Sequence, residues 1–307
     1  MSTARPRRTP PPSGLIIVDK PADWTSHDVV GKMRGIAGTR KVGHAGTLDP
    51  MATGVLVVGV EKATRLLGHL ALTEKVYEAT IRLGMTTNTD DAEGEIIAVT
   101  PAGRVTAEEV HRGVAALTGK IMQVPPQVSA IKVNGERAYK RARAGEEVEL
   151  AARPVTVSEF AVAAIRRTRV ETADDTTEVV DVDATVTCSS GTYIRALARD
   201  LGAALGVGGH LTRLRRIRVG PYGLASARTI DELARECVIM PIAEAVAAAF
   251  PRRDVTAQDA RLVAHGGRLP AAGLGPGPVG VFGPEGTLLA LVEERGGTAR
   301  PLVVFAP

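Results

Sequence analysis

Short apolar runs separated by turn residues dominate this chain, and their spacing predicts alternating strands and helices. Alternating or continuous apolar positions predict strands over residues 14–20, 55–60, 75–83, 155–160, 178–188 and 213–219. Helical spacing predicts helices over residues 27–36, 61–70, 106–118 and 192–205. Thr25 or Ser26 would cap the first, and Thr106 with Glu109 would form a capping box on the third. Residues 94–99 are expected to pair with the strand at 75–83.

Three segments depart from this main pattern and predict the domain organisation. Residues 1–13 are basic and lack an apolar run, so they predict a disordered tail. Residues 123–153 open on a Pro-Pro pair and carry clustered basic residues, which indicates an insertion packed loosely on a main domain at 14–251. Residues 252–307 contain a short helix from Val255, a Gly/Pro-rich stretch and three short strand patterns, which predict a small β-rich appendage.

Composition limits the possible functions and locations. The 307 residues include 38 Lys and Arg against 34 Asp and Glu, and the net charge of +4 is compatible with nucleic acid only if the positive charge is clustered. Two cysteines, Cys188 and Cys237, and the absence of a CxxC pair exclude a disulfide framework and a cysteine zinc site and indicate a reducing cytoplasm. No apolar run approaches the ~20 residues of a membrane helix, and no signal peptide is recognisable.

The densest group of chemically unusual residues lies at 43–54. Its glycines and Pro50 predict a tight loop that holds His44, Thr47 and Asp49. An Asp before Pro is pushed toward extended backbone, so the Asp49 side chain should project from the loop. On spacing alone, an ordinary Asx-type turn with His44 on the surface is the favoured interpretation, because Asp and Gly are common turn formers.

Four further segments of the chain must be considered together with this loop. Residues 15–21, 75–94, 124–132 and 190–216, together with the loop, resemble motifs of the bacterial TruB family of tRNA pseudouridine synthases over roughly residues 14–220. The resemblance implies a mixed α/β fold with a long, mostly antiparallel curved sheet. It also implies that residues 252–307 form a small PUA-like RNA-binding domain, although the residue match there is much weaker.

The resemblance also implies roles for individual side chains. Asp49 would be the essential carboxylate, Tyr77 would lie under the target base, and Arg195 would pair with Asp49 and keep it ionised. The implied substrate-binding residues are Lys20, His44, Tyr193, Leu214, Lys132, Arg141 and Arg215. Among these, Lys20 would support the pocket, His44 would fill the space left by the flipped base, and Leu214 would form an apolar wall.

The activity implied is isomerisation of uridine 55 in the T-arm loop of tRNA, with tRNA as partner. We expect no cofactor, no metal, no membrane association and no obligate protein partner. The acidic run at Asp90, Asp91, Glu93 and Glu95 is dense enough to suggest a metal site, but it carries no matching His and the reaction needs no ion. No P-loop or zinc-deaminase motif occurs in the sequence, which leaves NTPase and deaminase functions unsupported.

Two alternatives remain open from the sequence. One is a related synthase that acts on another RNA, such as rRNA, with protein partners; the insertion at 123–153 argues for stand-alone tRNA recognition. The other is an RNA-binding or RNA-folding protein in which catalysis is secondary, and the joint presence of Asp49, Tyr77 and Arg195 argues against a purely binding role.

Overall fold

The computed structural model describes residues 10–127, 132–133, 136–137, 150–172 and 176–306. The chain forms two units: Met1–Pro50, Gly54–Leu72 and Val219–Pro307 make up one, and Met51–Thr53 with Thr73–Arg218 make up the other. We refer to them as the loop unit and the hairpin unit. Residues 1–9 of the predicted tail and most of the predicted insertion, including Arg141, lie outside the described residues.

Seven helices and twenty strands occur in the described ranges. The helices are α1 Ser26–Ala37, α2 Leu67–Leu70, α3 Ala107–Ala116, α4 Ile194–Ala204, α5 Ile230–Arg235, α6 Ile242–Ala249 and α7 Ala257–Ala264. The strands up to the long hairpin are β1 Gly14–Lys20, β2 Val42–Ala45, β3 Thr53–Val60, β4 Lys75–Leu83, β5 Met85–Thr87, β6 Ile96–Val99, β7 Gly119–Gln123, β8 Lys132–Val133 and β9 Glu136–Arg137. The remaining strands are β10 Arg153–Glu171, β11 Thr176–Cys188, β12 Gly209–Val219, β13 Tyr222–Gly223, β14 Arg228–Thr229, β15 Met240–Pro241, β16 Arg252–Asp254, β17 Leu269–Pro270, β18 Pro278–Phe282, β19 Leu288–Arg295 and β20 Thr298–Val304.

In the loop unit, β1 is the central strand of the N-terminal part. It pairs antiparallel with β3 along its full length, from Gly14 opposite Val60 to Lys20 opposite Gly54, and parallel with β14 on its other side. Strand β2 continues the ladder beyond β3. Nearly every residue of β1 and β3 is buried, as expected for strands covered on both faces.

The C-terminal part of the loop unit is a five-stranded sheet in the order β16-β18-β19-β20-β17. One face has its own apolar cluster, which includes Val263, Val279 and Val292. The other face contributes to a second cluster that also contains residues of β1 and β3; its members from the C-terminal sheet are Phe282, Leu288, Leu291 and Phe305. The C-terminal part therefore has a core of its own and also shares an apolar cluster with strands β1 and β3.

The hairpin unit has the strand order β12-β4-β11-β10-β7. Strands β10 and β11 form a long antiparallel hairpin with register shifts near Val157 and near Val162. Bulges of this kind bend a sheet and increase its twist, which gives the mixed α/β fold its curved sheet. Strand β4 pairs with β11 from Lys75 opposite Cys188 to Leu83 opposite Val180.

Most predicted elements are confirmed, and three differ for identifiable reasons. Residues 61–70 begin as a 3₁₀ helix, because Glu61 has a φ of 52° that cannot start an α-helix. Strand β6 pairs with β5 rather than β4, since Gly84, with a φ of 112°, interrupts the chain between them. Strand β10 is 19 residues long, far beyond the predicted 155–160, because its charged outer half pairs with β11.

Helices α5 and α6 were not predicted, and neither were ten strands: β2, which lies partly within the predicted loop, β5, β7, β8, β9, β13, β14, β15, β16 and β17. Strand β17 has only two residues, and α5 only six. Such short elements offer too few residues for a hydrophobic period to be recognised.

Candidate active site

The loop at 43–54 holds Asp49 between two residues whose backbones are fixed. Before it, buried Ser26 of α1 bonds both peptide groups of Leu48: the Leu48 amide donates to Ser26 Oγ at 2.9 Å, and Ser26 Oγ donates to the Leu48 carbonyl at 3.1 Å. Thr25 supplies the side-chain cap of α1, so the hydroxyl of Ser26 is available for the loop. Leu48 itself is buried and anchors the loop in the core.

After Asp49, the carbonyl of Pro50 is held from two sides. The ammonium of Lys20, a fully buried residue, donates to the Pro50 carbonyl at 3.0 Å and also to the carbonyls of Pro21 and Trp24 at 2.9 and 2.6 Å. The amide of Asp23 donates to the same Pro50 oxygen at 3.0 Å. Three carbonyl dipoles around Lys20 compensate the burial of its charge, which explains how a lysine remains in this interior.

His44 lies in β2, opposite Val58 of β3, and is half-buried. Its ring packs edge-on against that of His27 on α1, with centroids 5.6 Å apart. The loop unit thus supplies a half-buried carboxylate, a half-buried imidazole and a buried lysine that braces the loop.

The hairpin unit carries the other predicted site residues. Tyr77 lies in β4 opposite Val186 and is 7% exposed, and Leu214 lies in β12 and is 6% exposed. Tyr193 is the N-cap residue of α4 and is half-buried. Arg215 is half-buried, and its Nη1 donates to Thr53 Oγ1 at 3.3 Å. Lys132 lies in β8, and nothing in the structure tests its predicted role.

Arg195 projects from α4 into a buried polar cluster. Its Nη1 donates to the Thr89 carbonyl at 2.8 Å and lies 3.4 Å from Oδ2 of Asp91, and both side chains of this ion pair are almost fully buried. Asp91 is fixed in turn, because its Oδ1 accepts from Thr89 Oγ1 at 2.6 Å and from the Glu93 amide at 3.1 Å. These contacts fix the position of the Arg195 guanidinium.

The first two residues of the acidic run, Asp90 and Asp91, pair with arginines of α4. One turn after Arg195, Arg199 lies 3.2 Å from Oδ2 of Asp90 and donates to the Val124 carbonyl at 2.7 Å. Burial raises the pKa of Asp90, and the nearby Arg199 charge opposes that rise. Among the described residues, no group of three or more His, Cys, Asp or Glu side chains is placed to hold a metal ion. In the same residues, no helix is long and apolar enough to cross a membrane.

Two positioning side chains escaped the sequence analysis. Ser26 was considered only as a helix cap, and Gln123 only as the start of the insertion. Gln123 is 2% exposed and bonds both peptide groups of Tyr193. Burial of a polar side chain beside a predicted loop or helix start would have identified Ser26 and Gln123 as positioning residues. The burial of a single polar side chain cannot be read from a sequence. The pairing of Arg195 with Asp49 stays a prediction.

Models of known protein families match three successive parts of the chain. The N-terminal domain model of the TruB family pseudouridylate synthases matches residues 34–194. A tRNA pseudouridylate synthase B C-terminal domain matches residues 195–246, and the C-terminal model of tRNA pseudouridine synthase II matches residues 250–306.

Individual proteins and solved structures with similar sequences or folds point to the same family. A "tRNA pseudouridine synthase B" of Thermobifida fusca is 67% identical over 293 residues, covering 95% of this chain and 98% of the relative. A protein of the same name from Streptomyces griseus is 63% identical over 299 residues, covering 97% and 99%. The crystal structure of a Cbf5-Nop10-Gar1 complex contains a chain that is 28% identical, with a TM-score of 0.71 over 96% of this chain and 85% of that one. The chain belongs to the TruB family of pseudouridylate synthases.

Proposed function

We propose that this protein is a tRNA pseudouridine synthase that isomerises uridine 55 in the T-arm loop. Family membership supports the reaction, and the relatives described above are named for tRNA as substrate. Their identities of 63–67% along nearly the full chain support the same substrate class here.

The proposed reaction is an internal exchange of bonds. The N1–C1′ bond of uridine breaks, the base turns, a C5–C1′ bond forms, the hydrogen on C5 leaves as a proton, and N1 gains a proton. Nothing is oxidised or reduced and no group enters from outside, so the chemistry requires no redox or energy cofactor. The protein must supply a carboxylate near C1′, a base for the C5 proton and space for the base to turn.

Asp49 is the carboxylate that the geometry supports best. The observation that carries the proposal is the double restraint on its backbone: Ser26 holds Leu48 on one side, and Lys20 with Asp23 holds Pro50 on the other. A carboxylate at a fixed position can act at C1′ and then take the C5 proton without a search for the reactive geometry.

Arg195 and Tyr77 would complete the catalytic set. The buried arginine would keep Asp49 ionised, since an opposite charge favours the charged form of a carboxyl group. Tyr77 and Leu214, both buried in the hairpin unit, would hold the extruded base by stacking and apolar contact. Because unstacking a base costs about a few kcal/mol, His44 would offset part of that cost by occupying the vacated space.

RNA recognition would extend over the segments predicted from the sequence. Residues 14–251 would form the catalytic domain, with the insertion at 123–153 gripping RNA through Lys132 and Arg141, and residues 252–307 would form a PUA-like RNA-binding domain. Tyr193 would contact the substrate beside the pocket, and Arg215 would contact phosphate near the loop. The bacterial cytoplasm, which holds the tRNA pool, is the proposed location, and no obligate protein partner is needed.

Tritium release from C5-labelled uridine tests the proposal directly. A T-arm stem-loop labelled at C5, incubated without metal or nucleotide, should release one equivalent per loop, and Asp49→Asn should abolish release while retaining RNA binding. Release by Asp49→Asn at the wild-type rate would remove Asp49 from the mechanism. Binding without release, from the stem-loop and from full tRNA, would point to another target.

One observation supports a second candidate. Structural neighbours with TM-scores of 0.66–0.71 come from solved structures titled as a Cbf5-Nop10-Gar1 complex and an H/ACA RNP bound to a substrate RNA. A synthase that acts on another RNA within an assembly would fail the stem-loop assay alone. Full activity of the purified chain on unmodified tRNA would exclude that alternative.

A further inference from the structure

The side chain of Gln123 forms a two-point clamp on the start of α4. Its Oε1 accepts a hydrogen bond from the Tyr193 amide at 2.8 Å, and its Nε2 donates to the Tyr193 carbonyl at 3.1 Å. Gln123 is the last residue of β7 and is 2% exposed, so its side chain is shielded from water. The two residues are 70 positions apart in sequence, and the clamp therefore ties two distant segments of the hairpin unit together.

Helix α4 begins at the residue that Gln123 holds. Tyr193 is the N-cap residue, and its side chain forms no capping hydrogen bond. Its carbonyl also accepts the first helical bond, from the Leu197 amide at 3.2 Å. Since Ser, Thr, Asp or Asn usually fixes this position with its own side chain, Gln123 acts here as an external restraint on the helix start.

Arg195 lies two residues after the clamp, in the first turn of α4. The position of its guanidinium depends on where the helix begins, and it reaches Thr89 and Asp91 from that turn. One turn later, Arg199 bonds the carbonyl of Val124, the residue after Gln123. The end of β7 thus contacts α4 at two successive turns, once on each side of Arg195 along the helix.

We propose that Gln123 is a positioning residue that sets the place of Arg195 through the backbone of Tyr193. This inference rests on the proposed function, in which Arg195 pairs with Asp49 and keeps it ionised. Glutamine is suited to the task because its amide presents one acceptor and one donor side by side, matched to the N–H and C=O of one residue. Glutamate keeps the acceptor but places a second acceptor against the Tyr193 carbonyl, and methionine keeps the length but forms neither bond.

The test compares Gln123→Met and Gln123→Glu with the wild type in single-turnover tritium release from C5-labelled tRNA. We expect the rate to fall about 10–100-fold in both, with the tRNA dissociation constant changed by less than about threefold, because misplacing a catalytic group costs rate more than binding. Met122→Ala is the matched control, since Met122 precedes Gln123 on the same strand and is 64% exposed. It should retain the wild-type rate.

Two further readouts separate positioning from general damage. In an Arg195→Lys background, Gln123→Met should cause little further loss, because the two substitutions act through one group. Amide exchange over residues 193–199, measured without substrate, should rise in Gln123→Met while exchange in β19 and β20 is unchanged.

Each outcome decides one claim. A wild-type protein that releases no tritium would refute the proposed function, and unchanged amide exchange in Gln123→Met would refute the clamp whatever the activity. An active wild type with an unaffected Gln123→Met rate, or fully additive losses in the Arg195→Lys background, would also overturn the inference. Faster exchange with a non-additive rate loss would support it.

Discussion

The hydroxyl of Ser26 offers the sharpest test of how the catalytic loop is held. Ser26→Ala removes both bonds to Leu48, whose side chain and partner are buried. Each buried backbone group that loses its partner costs about 1–3 kcal/mol, so we expect the free energy of unfolding to fall by about 2–4 kcal/mol. For a protein of this size that corresponds to a decrease in Tm of about 4–12 °C.

The effect on catalysis should exceed what stability alone implies. Leu48 directly precedes Asp49, and a carboxylate displaced by about 1 Å can lose about 100-fold in rate. We therefore expect single-turnover tritium release to slow about 10–100-fold at a temperature where the variant is fully folded, with the tRNA dissociation constant nearly unchanged. The assay requires a circular-dichroism melt of the variant and rate measurements well below its Tm.

Asp28→Ala provides the matched control on the same helix turn. Asp28 completes the capping box with Thr25 and does not contact the loop, and its exposed carboxylate has a pKa below the usual range because it accepts bonds from Thr25. Its loss should lower Tm modestly and leave the rate unchanged. If Ser26→Ala retained the wild-type rate, or if Asp28→Ala slowed the reaction equally, Ser26 would have no special part in placing Asp49.

Three further predictions follow from the same geometry. Lys20→Met leaves three carbonyls without their common donor. It should lower the free energy of unfolding, measured by urea denaturation, by about 2–4 kcal/mol and should slow tritium release. A variant with wild-type stability and rate would contradict the bracing role of Lys20. Burial beside Arg216 lowers the pKa of Lys75 to about 8. The folded protein therefore releases this proton at a lower pH than the unfolded chain does. Lys75 should consequently make stability rise between about pH 8 and pH 10.5. Lys75→Met should remove that rise, and equal pH profiles for the two proteins would refute it. Arg215→Gln should reduce the slope of log Kd against log salt for tRNA by about one, whereas Arg112→Gln should leave it unchanged; equal slopes would remove Arg215 from the phosphate contacts.

Local signals in the sequence predicted most elements of the fold. The N-cap at Thr25, the capping box at Thr106 and the bounds of β4 depend on residues within a few positions of each other, and all are confirmed. Strand β10 shows where local reasoning fails, because Arg166 and Arg169 would read as loop or surface residues in isolation. They remain in the strand since Asp183 and Glu178 of β11 pair with them across the hairpin.

The candidate site was likewise predictable from the sequence only in part. The identity of Asp49, Tyr77 and Arg195 as site residues came from the resemblance of ordered motifs, and each had an ordinary structural interpretation when taken alone. The contacts that support them connect positions 22 and 70 residues apart, Ser26 with Leu48 and Gln123 with Tyr193. No periodicity or spacing rule links such positions, because the fold alone brings them together.

Both supports act on the backbone rather than on a catalytic side chain. Ser26 binds the N–H and C=O of Leu48, and Gln123 binds the N–H and C=O of Tyr193, in each case one or two residues before a group proposed for catalysis. A support of this kind fixes where the functional side chain starts and uses none of the polar atoms that must meet the substrate. Backbone clamps are therefore compatible with the proposed pairing of Arg195 with Asp49, because they occupy no atom of the carboxylate. This is a physical reason to look for catalytic support in buried serine and glutamine side chains near, rather than within, a recognised motif.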